Sequence, residues 1–134
     1  MIIMVKVTKK ADYGLTLMAA LGQNPDTMQS LRSISAKYHM PYKFIGQVAA
    51  KLLEAGLITS KEGANGGYRL AKAASQISLH DIIAVLDGPV VKADCLRGKS
   101  CPRNEICGHK QVLSAISEAL TESLSKKTVA DLVA

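Results

Sequence analysis

The chain has 134 residues, a formal charge of +6, and 48% hydrophobic residues of which few are aromatic: four Tyr, one Phe and no Trp. It is long enough for one domain, or one domain plus an appendage, around a modest core, and its aliphatic balance suits helices. The apolar opening Met1–Val5 is interrupted by Lys6, Lys9 and Lys10, far short of a signal-peptide core or a membrane span, and no other run approaches one; this predicts a cytoplasmic protein with no membrane partner. Residues 1–72 hold ten Lys/Arg against four Asp/Glu, whereas 73–134 hold seven of each. A basic amino-terminal half is the electrostatic footprint of a phosphate-backbone binder.

In chain order, Tyr13, Leu15, Leu17, Met18 and Leu21 recur at helical spacing, which predicts a first helix from Lys9 to Gly22 with Gly22 as its stop. Asn24-Pro25-Asp26 is a turn signal. A short second helix is predicted over Ser30–Tyr38, with Leu31 and Ile34 inward and Arg32 and Lys37 outward. His39-Met40-Pro41 breaks it, and Pro41 suits the first turn of a third helix reaching Ala55, closed by Gly56. Phe44, Ile45, Val48 and Leu52 form its inner face, leaving Tyr42, Lys43, Gly46, Gln47, Ala50 and Lys51 outside. Two helices across a tight break, the second presenting polar and cationic side chains, match a helix-turn-helix; a plain three-helix packing unit has the same periodicity.

The next segment separates those alternatives. Leu57–Lys61 reads as a strand, Glu62–Gly67 as a glycine-rich tip and Tyr68–Leu70 as the return strand, so a hairpin directly follows the candidate recognition helix. That order predicts a winged helix-turn-helix, whose glycine-rich tip lets backbone approach a phosphate or the minor groove. Gly63, Gly66 and Gly67 do not form a nucleotide-binding loop, because the Lys-Ser/Thr ending and a surrounding βαβ unit are both missing.

Ser78 is a candidate cap for a fourth helix ending at Asp87, with Leu79, Ile82, Ile83 and Leu86 inward and Gly88-Pro89 as the stop. All three cysteines follow at a strict spacing of six: Cys95, Cys101 and Cys107. Three thiolates are too few to close a tetrahedral site and too many to pair as disulfides, so a metal or cluster held here needs a fourth ligand from elsewhere. A long helix is predicted from Asn104 or Glu105 to about Ser125, with a stripe of Val112, Leu113, Ile116, Leu120 and Leu124 that suits dimerisation. The organisation expected is a winged domain at 1–88, a cysteine loop at 89–110, a dimerisation helix at 104–125 and a tail at 126–134.

The Gly63-Ala-Asn-Gly-Gly-Tyr68 wing and the evenly spaced cysteines before a long helix resemble the Rrf-two family of bacterial winged-helix regulators, of the IscR and NsrR type, over nearly the whole chain. The resemblance implies a mainly α fold with a small β-hairpin wing, a homodimer, and duplex operator DNA as partner. It also implies an iron–sulfur cluster on Cys95, Cys101 and Cys107 whose presence or state alters DNA binding. IscR-like members place the fourth ligand on a histidine three residues after the last cysteine; here that position is Lys110, and His109 stands one earlier. NsrR-like members use an aspartate near the start of the first helix of the other subunit, a position matched by Asp12. Asp12 of the partner subunit is thus the favoured ligand, with His109 the alternative, and a carboxylate ligand favours [4Fe-4S] over [2Fe-2S] by resemblance.

The DNA-reading half departs from the family pattern at two positions. Glu62 stands where an arginine commonly precedes the wing glycine, and Gly46 where IscR has a glutamate. The DNA-facing set expected here is Tyr42, Lys43, Gln47 and Lys51 on the recognition helix with Lys61, Asn65, Gly66 and Arg69 on the wing. The competing readings are a structural zinc or thiol-redox switch at the same cysteines, and an iron–sulfur electron carrier or enzyme. No paired acid/base constellation supports an enzyme.

Overall fold

The computed structural model describes residues 3–5, 8–88, 91–93 and 109–133. The amino-terminal helix α1 (Lys9–Gln23) starts where Thr8, in an extended conformation, accepts a hydrogen bond from the Ala11 N–H at 3.2 Å. Gly22 does not stop this helix. It lies within the last turn, buried, and a Cβ there would stand 3.0 Å from Val129; the cap is Asn24, and a turn from Asn24 to Thr27 follows. Glycine serves here as a close-packing residue, a use that local sequence cannot distinguish from a cap.

Helices α2 (Leu31–Lys37) and α3 (Tyr42–Glu54) follow, with Ser30 capping the first and Pro41 at the N-cap of the second. Between them the chain reverses through His39, whose φ of +55° is unusual for a side-chain-bearing residue. The Ser35 hydroxyl donates to the Met40 carbonyl, and the Met40 N–H donates to the Ser35 carbonyl at 3.0 Å, holding the reversal closed. Strands β2 (Ile58–Lys61) and β3 (Gly67–Leu70) form the antiparallel wing, with Ile58 opposite Leu70 and Lys61 opposite Gly67. Helix α4 (Leu79–Asp87) is capped by Ser78, which accepts from the Asp81 N–H at 3.1 Å, and ends at Gly88 with φ +77°.

One core unites these elements. Leu17, Met18 and Leu21 of α1, Ile45 and Leu52 of α3, Ile58 of β2, Ile77 and Ile82 are all essentially inaccessible. The inner faces expected of the first four helices are buried or half-buried as the periodicity requires, because each is apolar on one side only.

Two features lie outside what periodicity predicts. Strand β1 (Ile3–Val5) pairs antiparallel with β4 (Val91–Ala93), Ile3 opposite Ala93 and Val5 opposite Val91. This joins the segment leading into α1 to the one leaving α4, and the Thr8 hydroxyl adds a bond to Asp87 at 2.5 Å. The segment read as a tail forms helix α6 (Val129–Val133) after the long helix α5 (His109–Lys126). Leu79 N–H donates to the Lys127 carbonyl and Val129 N–H to the Ile77 carbonyl, each at 2.9 Å, and Val129 is fully buried. Five residues are too short for a periodicity argument, so only these tertiary bonds reveal the element.

Candidate nucleic-acid interface

The interface is built on α3. At about 100° per residue, Ile45, Val48, Ala49 and Leu52 fall on one side and are buried, and Lys43, Gln47 and Ala50 fall opposite and are exposed. Tyr13 of α1 meets Phe44 edge-on, ring centroids 5.2 Å apart at 79°, which braces α3 against α1. Its outer face is therefore presented by a packed scaffold.

The wing is fastened beside it. Gln29, just ahead of α2, donates its N–H to the Tyr68 carbonyl at 2.9 Å and accepts from the Tyr68 N–H at 2.8 Å. Gly67 has φ +144°, and a Cβ there would lie 2.5 Å from the Gln29 carbonyl oxygen. Only glycine satisfies both the backbone conformation and the bridge. The Gly66 N–H turns back to the Gly63 carbonyl at 3.0 Å, closing the tip, while Lys61, Asn65 and Arg69 project exposed.

Two concavities flank α3, and they divide the residues expected to face DNA. One, about 360 Å³, lies between the starts of α2 and α3 and the wing, lined by Ser30, Arg32, Tyr42, Gly63, Gly66 and Tyr68 among others. The other, about 280 Å³, lies on the opposite shoulder, lined by Lys10, Phe44, Gln47, Val48, Lys51 and Leu86. Tyr42 and Gly66 thus share the wing-side cleft, whereas Gln47 and Lys51 border the other side. Lys43, Lys61, Asn65 and Arg69 are exposed and line neither.

Arg32, outward on α2 by its helical spacing, and Ser30 also line the wing-side cleft, although neither is in the DNA-facing set expected from sequence. The Arg32 guanidinium stands 4.5 Å over the Tyr42 ring. These residues are ten apart across the break between two helices, a separation that no helical or strand periodicity links. Between residues 27 and 72 the chain carries seven Lys/Arg against two Asp/Glu, Glu54 and Glu62, both exposed. This stretch is basic, with two exposed carboxylates.

Of the expected cluster ligands, Cys95, Cys101 and Cys107 lie outside the described residues, and His109 is the first residue of α5. Asp12 sits in the first turn of α1 with its carboxylate exposed. Its backbone holds it there: the N–H donates to the Thr8 carbonyl and the carbonyl accepts from the Thr16 hydroxyl, both at 2.9 Å. β4 ends at Ala93, two residues before Cys95, while its partner β1 leads into the helix that carries Asp12.

Two adjoining helices, a hairpin stitched to them and a basic outer face define a winged helix-turn-helix. Residues 7–134 match the Rrf2 family, described as iron-dependent transcriptional regulator. The chain belongs to the Rrf2 family and is a transcriptional regulator, not an enzyme. It is 33% identical to the HTH-type transcriptional regulator CymR of Bacillus subtilis over 96% of this chain and 89% of that protein. The solved structure of B. subtilis CymR, the global cysteine regulator, superposes with a TM-score of 0.83 at 31% identity, covering 97% of each chain. IscR of T. potens superposes at 0.78 with 32% identity, covering 96% of this chain and 86% of that one. NsrR of Halalkalibacterium halodurans is 29% identical over 96% of this chain and 90% of its own length. Among the described residues no helix is long and apolar enough to cross a membrane.

Proposed function

We propose that the chain is a cytoplasmic, homodimeric regulator whose operator binding is set by an iron–sulfur cluster on Cys95, Cys101 and Cys107, completed by Asp12 of the partner subunit. The observation that carries this reading is the set of three evenly spaced cysteines in a chain whose family is described as iron-dependent. Three thiolates with one exposed carboxylate are a donor set that suits such a cluster, and a hard oxygen ligand makes the site labile. When bound, the cluster supplies a centre that redox change, nitric oxide or iron supply can alter.

The remaining steps belong to the chain. Thr8 and Asp87 tie the start of α1 to the end of α4, and β1–β4 ties the same two segments, so a strain arising at residues 94–108 has a short path to α1. Helix α1 packs on α3, and the two recognition helices of a dimer must match half-sites about one helical turn apart. A ligand state acts by favouring one α3-to-α3 spacing over another, which requires differential binding to the two dimer geometries. Val112 and Ile116, 59% and 42% exposed and one turn apart on α5, form the apolar strip that a second α5 would cover around a two-fold axis.

The likeness to CymR supports a second reading, in which the same fold and cysteines work without a cluster, as a thiol-redox switch or structural zinc site. Anaerobic purification with absorption spectra and iron and sulfide assays separates them. The cluster reading expects a coloured protein whose operator affinity changes on cluster removal. Colourless, iron-free protein that binds its promoter unchanged overturns it. Asp12→Ala and His109→Ala then assign the fourth ligand: cluster lability should rise in the first and not in the second.

A further inference from the structure

We propose that the stacked Arg32–Tyr42 pair is a seat for a backbone phosphate of duplex DNA, at the mouth of the cleft between α2, α3 and the wing. This deepens the DNA-binding reading and rests on it. Four observations carry it. Arg32 is exposed, and among the described residues no carboxylate lies within ion-pair distance of it. Its guanidinium lies 4.5 Å over the ring of Tyr42, itself 48% exposed. A guanidinium held on an aromatic face keeps its in-plane N–H donors free, and a phosphate diester accepts that fork from two oxygens.

The third observation is the lining. Ser30, Leu31, Tyr68 and three wing glycines complete the cleft, none of them acidic, so nothing on its walls repels a diester and the glycines leave room for it. The fourth is Glu62. This exposed carboxylate stands on the wing immediately before Gly63, where it disfavours a phosphate near the tip itself. A backbone strand passing the wing is therefore held by the α2 side of the cleft rather than by its tip. Arg32 acts as an affinity contact, and Tyr42 positions it; neither reads a base through this contact.

Full-length protein is titrated by fluorescence anisotropy into a promoter fragment and a random-sequence duplex of about 25 base pairs, across roughly 50 to 200 mM KCl. Arg32→Ala is expected to weaken both complexes by about tenfold and to reduce the slope of log K against log salt by about 1. Arg32→Lys, which keeps the charge and loses the fork, should retain the slope while losing about threefold in affinity. Lys37 is the matched control. It is stacked on Tyr38 at 5.4 Å on the same helix yet lines no part of the cleft, so Lys37→Ala should leave the slope nearly unchanged. Circular dichroism confirms that each exposed-site variant is folded. An unaltered slope in Arg32→Ala, or the same loss in Lys37→Ala, overturns the assignment. If the unsubstituted protein binds neither duplex at low salt, it is the DNA-binding reading that fails.

Discussion

The winged core and the long helix α5 treat their apolar residues in opposite ways. In α1, α3 and α4 the residues at helical spacing meet one another: Leu17, Ile45, Leu52 and Ile82 are each fully buried within a single chain. In α5 the same kind of stripe is split, with Leu113 buried while Val112 and Ile116 remain open. A periodic apolar face states only that a helix needs a partner surface; it does not say whether that surface is supplied by the same chain. The core closes upon itself, whereas α5 keeps two large apolar side chains exposed.

The strongest test of that contrast is in the core. Ile45→Ala should cost about 2–5 kcal/mol, because the cavity forms among rigidly packed neighbours, and urea unfolding should show the midpoint falling with little change in slope. Ile116→Glu should leave the unfolding of the chain nearly unaltered and, if α5 forms the seam of the proposed homodimer, weaken association by at least about 2 kcal/mol for a carboxylate placed in an apolar seam. Sedimentation equilibrium reads this directly; a variant that stays dimeric assigns the strip to some other role.

Gly67→Ala probes the joint between helices and wing. Positive φ and the clash with Gln29 should cost about 1–3 kcal/mol, with amide exchange at Tyr68 rising more than exchange in α3. The smallest effect has the opposite sign. Gly46 lies in the interior of α3 with open space where a Cβ would be, so the protein's own packing does not require glycine there. Gly46→Ala should raise stability by about 0.5–1 kcal/mol, measurable as a higher melting temperature.

Much of this fold was legible because its signals are local. The cap at Ser78, the break at Pro41 and the glycines of the wing are consequences of backbone chemistry within a few residues, so element order and the winged arrangement followed from them. The misreading of Gly22 has an equally physical cause: a glycine that ends a helix and one that admits a neighbouring helix look the same along a chain. The β1–β4 pair and α6 are not legible in the sequence because three to five residues carry no usable period, and their hydrogen bonds reach partners far away in sequence.

The candidate site divides the same way. The amino-acid sequence alone determined that there would be a basic helix followed by a glycine-rich hairpin, since residue type and spacing suffice to state charge, periodicity and turn chemistry. Which of those cations share a cleft was decided only in three dimensions. Arg32 reaches Tyr42 because the turn through His39 folds α2 across α3, and Gln47 and Lys51 part from them because a helix rotates its side chains away from one another. Proximity across a chain reversal depends on the packing of the whole core, and no stretch of sequence contains it.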